Sequence, residues 1–188
     1  ACTVLLDIGA GTTNLIVVED GEVQHVAVLP IGGTLITNDL AIGLKTDLDV
    51  AEQVKVQHAN LGKATKTTAT VNLNNTVHSF PAEEVLMITE ARVEEMFEYV
   101  DKELQRIRRS RKLPGGVVMT GGTAKLPGIV EFAKEKLQLP ARLGKFQEVG
   151  GLVDTVEDTA YATVVGLMLL DMYARATPMT GSPQLKVP

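Results

Sequence analysis

The chain alternates between short apolar runs rich in β-branched residues and longer segments in which apolar residues recur every three or four positions. The first pattern predicts β-strands and the second predicts amphipathic helices. Strands are predicted at 3–8, on both sides of Asp20-Gly21 within 13–30, in a pair within 65–80 that turns at Asn74-Asn75, at 115–122 and at 139–144. Helices are predicted at 32–44, 47–59, 81–112, 126–137 and 158–173.

This order of elements predicts an α/β fold, in which helices flank a mixed sheet and a smaller α/β subdomain is inserted. The β-rich stretch within 65–80 and the long helix at 81–112 form this insert. The helix at 158–173 is almost entirely apolar, so we expect it to be buried. Residues 174–188 are polar and contain prolines, which is typical of a flexible linker.

Composition narrows the class of protein. A chain of 188 residues can bury a substantial core, and its net charge of −5 argues against nucleic-acid binding. Its one cysteine, Cys2, excludes an internal disulfide framework and fits a reducing compartment such as the cytoplasm. The sequence opens on a strand without an initiator methionine, so we expect it to be a piece of a longer protein.

The first candidate site is the turn that follows the first strand. Asp7 ends the strand, and Gly9, Gly11, Thr12 and Thr13 follow in a short glycine- and threonine-rich stretch. Glycines let the backbone approach a ligand, while the hydroxyl and N–H groups can donate to an anion and Asp7 can hold hydrated Mg²⁺ near phosphates. A plain tight hairpin would explain the same residues.

Two further motifs lie on other elements. Glu52 and Lys55 share one face of a predicted helix, where they can contact a ribose or form an exposed ion pair. Gly121, Gly122 and Thr123 join a predicted strand to a helix. Such a junction can admit a flat base or an anion, but it also suits close packing between a helix and a strand.

The order of these motifs resembles the second half of the actin/Hsp70/sugar-kinase ATPase fold, which is ribonuclease H-like. Within it, the chain resembles the family of the bacterial cell-division protein FtsA over almost its whole length. The matching segments are VLLDIGAGTTNLIVV, VLPIGGTLITNDLAIGL, AEQVKVQHA, VVMTGGTAKLPGIVEFA and DTAYATVVGLMLL.

The resemblance implies that this chain corresponds to subdomain IIA, at 1–44 and 113–173, and subdomain IIB, inserted at 45–112. It also implies that the chain supplies one wall of a cleft for ATP and Mg²⁺. We expect the isolated fragment to be inactive as an ATPase, because the other wall lies in the other half of the protein. The implied nucleotide-binding residues, with Asp7 holding Mg²⁺ through water, are Asp7, Gly9, Gly11, Thr12, Thr13, Asn14, Glu52, Lys55, Gly121, Gly122 and Thr123.

The resemblance also implies partners. The family tethers FtsZ filaments to the inner face of the cytoplasmic membrane at the division site, binds the FtsZ C-terminal tail through subdomain IIB, and self-associates into filaments. Its membrane contact is a C-terminal amphipathic helix, expected to lie beyond this sequence. On the predicted helix 81–112 we expect the FtsZ tail to contact Arg92, Met96, Arg106 and Arg109. Core packing and a solvated helix end are the alternative interpretations of these residues.

Two other protein classes remain open. A PilM-type adaptor of type IV pilus assembly would share the fold and the PIGG stretch after the hairpin. A phosphotransferase or chaperone ATPase of the same superfamily would place its catalytic groups mostly in the other half of the protein.

Overall fold

The structure is a computed structural model that describes residues 2–64, 66–145 and 158–176. Short 3₁₀ turns lie at Thr123–Lys125 and Thr159–Tyr161. The strands and helices, in chain order, are β1 (Cys2–Ile8), β2 (Thr13–Glu19), β3 (Glu22–Leu29), α1 (Gly33–Gly43), α2 (Leu48–His58), β4 (Thr68–Leu73), β5 (Thr76–Pro81), α3 (Ala82–Arg106), β6 (Val117–Thr120), α4 (Ile129–Leu137), β7 (Ala141–Leu143) and α5 (Ala162–Ala176).

The main sheet has five strands in the order β3-β2-β1-β6-β7. β1 pairs antiparallel with β2 and parallel with β6, so the sheet is mixed, as the element order predicts. β4 and β5 form a separate antiparallel pair. It turns at Asn74 and Asn75, whose φ angles of 51° and 61° lie in the left-handed region that asparagine tolerates.

The alternation along β1 places one of its faces in the core. Val4 and Leu6 are completely buried, whereas the residues that alternate with them along the strand are half-buried. Helices α1, α3 and α4 cover this face and contribute Ile36, Phe97 and Ala133 to the same continuous core. β1 is therefore the central strand that its apolar run predicts, with one face fully covered.

Helix α3 is shorter than its periodicity predicts. It ends at Arg106 rather than near residue 112. Arg108 and Arg111 have φ angles of 60° and 57°, and a right-handed helix cannot contain such residues. Arginine is a good helix former, so the sequence pattern alone does not mark this end. The basic residues after Arg106 lie in turns, and Arg92 lies in the middle of the helix rather than at its start.

The apolar stripe of α3 packs inside the protein. Val93, Phe97, Val100 and Leu104 are at most 2% exposed, and the ring of Phe97 lies 6.4 Å from that of Phe132 on α4. Near its end the helix also contacts the main sheet, where Glu103 Oε1 accepts a hydrogen bond from His25 Nε2 at 2.7 Å. The predicted insert 45–112 thus shares the core with the main sheet, and the domain boundaries stay a prediction.

Helix α5 is not the buried helix that its composition predicts. Val165 is 9% exposed, but most of the other large apolar side chains lie in solvent: Val164, Leu167, Met168, Leu170 and Met172. The described part of the chain places no element over them. An apolar composition indicates that a helix tends to be buried, but it does not identify the element that packs against it.

Two other predictions concern the end of the chain and the membrane. The linker predicted at 174–188 begins inside α5, whose backbone continues to Ala176, and residues 177–188 lie outside the described residues. Among the described residues, no helix is long and apolar enough to cross a membrane.

The packing of α3 yields a stability prediction. Phe97→Ala should lower the free energy of unfolding by about 3–5 kcal/mol, because it removes a buried ring and leaves a cavity. Tyr99→Ala is the matched control on the same helix, since Tyr99 is 44% exposed, and it should cost less than about 1 kcal/mol. Urea unfolding monitored by circular dichroism measures both. Equal losses in the two variants would contradict the packing described for α3.

Candidate functional site

The carbonyl of Gly9 holds the turn between β1 and β2. It accepts a hydrogen bond from the Gly33 N–H at 3.0 Å and another from the Thr123 hydroxyl at 2.9 Å. The Gly9 N–H in turn donates to the Thr12 carbonyl at 2.9 Å. A Cβ on Gly33 would lie 2.5 Å from Thr123 Oγ1, so only glycine permits this approach. The turn, the start of α1 and the segment after β6 therefore meet at one point.

The outer rim of the turn is open. Gly11 and Thr12 are exposed, and within the described residues no hydrogen bond uses their N–H groups or the Thr12 hydroxyl. Thr13 differs, because it is 1% exposed and its hydroxyl donates to the Ile31 carbonyl at 2.8 Å. The expectation that the Thr13 hydroxyl faces an anion is therefore wrong. The rim itself offers the exposed donors that an anion requires.

Asp7 lies at the end of β1, opposite Asn14 on β2 and Thr120 on β6. Its Oδ2 accepts a hydrogen bond from the Thr163 hydroxyl at 2.8 Å. Thr163 lies in the first turn of α5. The sequence did not predict its contact with Asp7, because nothing in the local pattern links two residues so far apart in the chain. Asp7 and Asn14 are thus placed side by side at the sheet end that also carries the open turn.

The two glycines after β6 have different environments. Gly121 has a φ of 91°, and a Cβ there would lie 2.5 Å from the Ile8 carbonyl oxygen, so close strand packing requires glycine at this position. A Cβ on Gly122 would meet no described atom within 4 Å, so the space above this glycine is open. Thr123 ties this junction to the turn through Gly9.

Glu52 and Lys55 face the start of α1. Lys55 Nζ donates to Glu52 Oε2 at 2.7 Å, to Thr37 Oγ1 at 2.8 Å and to the Gly33 carbonyl at 3.2 Å. Burial acts to raise the pKa of Glu52, but the hydrogen bonds from Lys55 and Thr37 outweigh it and hold that pKa below its ordinary value of 4.5. Glu52 is therefore ionised at neutral pH.

A single cleft of about 450 Å³ brings the candidate motifs together. The turn, α1, α2 and the segment after β6 all line it. The lining residues are Ala10, Gly33, Ile36, Glu52, Lys55, Val56, Gly122, Thr123, Lys125, Leu126 and Pro127. The Glu52–Lys55 pair predicted to meet a sugar and the glycine junction predicted to meet a base thus line one cavity.

Gly33 lines this cleft, and Thr37 hydrogen-bonds to Glu52 and Lys55 of its lining. Neither was predicted from the sequence as a site residue. Gly33 belongs to the PIGG stretch, whose two glycines at a helix start are a signal for close backbone approach. Thr37 carries no local signal, because a threonine inside a helix is common and its partners lie on another helix.

The residues predicted to bind a partner are largely engaged inside the molecule. Met96 is 5% exposed and belongs to the core, so its prediction as a docking residue is wrong. The Arg92 guanidinium donates from two nitrogens to the Asp39 carboxylate on α1 and from a third to Glu95. Its side chain is 23% exposed. Arg92 therefore connects α3 to α1 through a bidentate ion pair, so the cation predicted to contact a partner is already paired within the chain.

Arg109 and Arg106 differ from each other. Arg109 Nη2 donates a hydrogen bond to Glu19 Oε2 at 2.6 Å, which connects the segment after α3 to β2. Arg106 pairs with Glu103 on its own helix, and its side chain is 69% exposed. Of the four predicted partner-binding residues, Arg106 is the one whose side chain mostly faces solvent.

Known proteins share both the sequence pattern and the fold of this chain. The sequence model of a family described as "Cell division protein FtsA" matches residues 4–166. The chain belongs to the FtsA family. FtsA of Pseudomonas aeruginosa is 36% identical over 183 residues, which cover 95% of this chain and 44% of that relative. FtsA of Bacillus subtilis is 39% identical over 169 residues, which cover 87% of this chain and 37% of the relative. The chain thus spans about two-fifths of the length of these FtsA proteins.

Solved structures confirm the actin-like ATPase fold of this FtsA chain. MreB5 of Spiroplasma citri bound to ADP superposes with a TM-score of 0.72 at 16% identity, over 96% of this chain and 56% of that one. A PilM–PilN type IV pilus biogenesis complex gives a TM-score of 0.67 at 19% identity, over 90% and 45%. Both likenesses concern the fold alone, so the PilM alternative gains no functional support from them.

The Arg92–Asp39 ion pair yields a second stability prediction. Arg92→Ala and Asp39→Ala should each destabilise the FtsA chain, and the double variant should lose less than the sum of the two. The coupling free energy should be about 1 kcal/mol, since the pair is partly exposed. The matched control is Lys134→Ala with Glu131→Ala on α4, an exposed i,i+3 pair whose coupling should be smaller. Strict additivity for Arg92 and Asp39 would contradict a structural role for the pair.

Proposed function

We propose that this chain is the part of an actin-like cell-division protein that forms one wall of an ATP-binding cleft. The observation that carries the proposal is the shared cleft: Ala10 of the glycine turn, the Glu52–Lys55 pair and the Gly122–Thr123 junction come from distant parts of the sequence and line one cavity. Nucleotide sites in α/β proteins lie at such strand ends, where glycines expose backbone donors. Membership of the FtsA family supports the same proposal.

Each part of the cleft suits one part of the nucleotide. The exposed N–H groups of Gly11 and Thr12 would donate to phosphate oxygens. The ionised Glu52 carboxylate would accept hydrogen bonds from ribose hydroxyls. The open space above Gly122, bordered by Leu126 and Pro127, would accommodate the base. Protonation weakens Glu52 as a hydrogen-bond acceptor, so ATP affinity should fall when acidification takes the pH through its lowered pKa.

The residues at the end of β1 fit a magnesium ion held through water. Asp7 supplies one carboxylate beside the open rim, and Mg²⁺ commonly binds through one or two carboxylates, waters and substrate phosphates. Within the described ranges no group of three His, Cys, Asp or Glu side chains could hold a metal by itself, so the phosphates would complete the site. The ion would offset phosphate charge, while Asp7, positioned by Thr163, would orient its waters.

A nucleotide titration tests this proposal. Glu52→Gln should weaken ATP binding by about tenfold, because a neutral amide replaces a charged acceptor. Glu131→Gln is the matched control, since Glu131 also pairs with a lysine three residues later but lies on α4, away from the cleft. Chemical shifts of backbone amides, followed by NMR as ATP and Mg²⁺ are added, measure affinities into the millimolar range.

The positions of the shifted amides provide a second readout. Shifts should concentrate at Gly11, Thr12, Gly122 and Thr123. No saturable shift in the folded wild-type chain, or shifts confined to residues remote from the cleft, would overturn the assignment of this cavity to ATP.

We further propose that the full-length protein tethers FtsZ filaments to the inner face of the cytoplasmic membrane at the division site and self-associates into filaments. Membership of the FtsA family supports this role, and this chain spans about two-fifths of the length of its relatives. Membrane contact would use a C-terminal amphipathic helix of the full-length protein. This chain would carry the docking surface for the FtsZ tail.

The exposed Arg106 is the predicted docking residue that a tail could reach without breaking a contact between elements. Arg106→Ala should weaken binding of a fluorescent FtsZ C-terminal tail peptide several-fold, because it removes an exposed cation. Fluorescence anisotropy measures this affinity, a scrambled peptide controls for composition, and Arg142→Ala on β7 controls for loss of an exposed arginine elsewhere. Absence of binding by the folded chain would contradict docking on this part of the protein, and equal affinity of Arg106→Ala and wild type would exclude Arg106.

A further inference from the structure

Thr37, on the second turn of α1, is a buried residue whose hydroxyl contacts two residues that line the cleft, Glu52 and Lys55. The residue is 6% exposed, and three polar groups surround its Oγ1. Glu52 Oε2 lies at 2.5 Å, Lys55 Nζ at 2.8 Å and the Gly33 carbonyl oxygen at 3.4 Å. A hydroxyl has one hydrogen to donate and can accept with its lone pairs. The distances therefore assign the hydrogen to Glu52 and leave Thr37 to accept from Lys55.

All three N–H donors of the Lys55 ammonium group have hydrogen-bond partners within the chain. It has three N–H donors and no acceptor, and its three partners are the Gly33 carbonyl, the Thr37 hydroxyl and Glu52 Oε2. Its side chain is only 18% exposed. Lys55 thus has no spare donor for a ligand, which differs from the expectation that it contacts the sugar or base directly.

Both hydrogen bonds to Glu52 reach the same oxygen. Thr37 and Lys55 bond to Oε2, whereas no hydrogen bond to Oε1 occurs among the residues that the structure describes. The Glu52 side chain is 46% exposed and lines the cleft. A flexible glutamate is held at one oxygen, and the other remains available to a ligand.

We propose that Thr37 is a positioning residue, which acts with Lys55 to hold Oε2 of Glu52. The other oxygen, Oε1, then accepts a hydrogen bond from the 2′-hydroxyl of a bound nucleotide. This contact makes the site select ribonucleotides over 2′-deoxyribonucleotides. The proposal rests on the proposed function. Fixing the carboxylate in advance avoids an entropic cost when the ligand binds. A 2′-deoxy ligand leaves the charged oxygen without its donor, and a site built around a hydroxyl discriminates against such a ligand.

The first experiment compares ATP with 2′-deoxy-ATP by NMR titration of the 188-residue chain. Wild type should prefer ATP by about tenfold or more, as expected for a hydrogen bond to a charged group. Thr37→Val keeps the shape but removes the hydroxyl, so it should abolish most of this preference. Thr37→Ser restores the hydroxyl and should keep it. Lys55→Met removes the other bond to Oε2 and should relax the preference even if Thr37→Val does not fold.

The second experiment needs no ligand. The ¹³C shift of the Glu52 carboxyl carbon, followed against pH, reports its pKa. Thr37→Val should raise this pKa, because it removes one of the hydrogen bonds that lower it, while Thr37→Ser should leave it near the wild-type value. The ¹³C signal of the Glu131 carboxyl, which lies on α4 away from Thr37, serves as an internal control.

The outcomes separate the two proposals. A Thr37→Val chain that binds ATP and discriminates like wild type, or that weakens both nucleotides equally, overturns the positioning role and leaves the proposed function intact. An unchanged Glu52 pKa in Thr37→Val also overturns it. A folded wild-type chain that binds neither nucleotide overturns the proposed function, and ribonucleotide selection with it.

Discussion

The carbonyl of Gly9 is the contact on which the cleft depends. Its two hydrogen bonds join three segments that are far apart in the sequence: the turn after β1, the start of α1 and the residues after β6. Both lone pairs of one oxygen are used, so the backbone of the turn is fixed by its own tertiary contacts. With its inner side held in this way, the turn presents Ala10, Gly11 and Thr12 to solvent.

The cleft therefore combines two kinds of polar surface. The rim of the described turn offers backbone donors without partners, as expected where a ligand must supply the acceptors. The side chains of Thr37, Glu52 and Lys55 already hydrogen-bond to one another, so their geometry does not depend on a ligand. Such a site offers free donors to an anion at the turn and a preorganised carboxylate at Glu52. This combination suits a molecule with a phosphate tail and a hydroxyl-bearing sugar.

Helix α3 shows why charge and periodicity do not identify a docking face. Its apolar stripe contains the residues that join the insert to the main sheet, and the Arg92 guanidinium is engaged by Asp39. The bidentate geometry makes this ion pair specific, and its partner lies on a helix far away in the sequence. Arg106 stays exposed because its acceptor, Glu103, lies one turn earlier on the same helix.

The sequence by itself determined the element order, the central strand at β1, the hairpin at Asp20-Gly21 and the glycines of the turn after β1 and of the junction after β6. These features follow from local rules: alternation in strands, helical spacing, and the backbone freedom of glycine. The same rules failed where a contact partner is distant. They did not locate the end of α3, the burial of Met96 and Thr13, or the exposure of α5. Only the tertiary structure decided that Thr37 meets Glu52 and that Thr163 meets Asp7, because hydrogen bonds between remote segments depend on how helices and strands pack and leave no periodic trace in the chain.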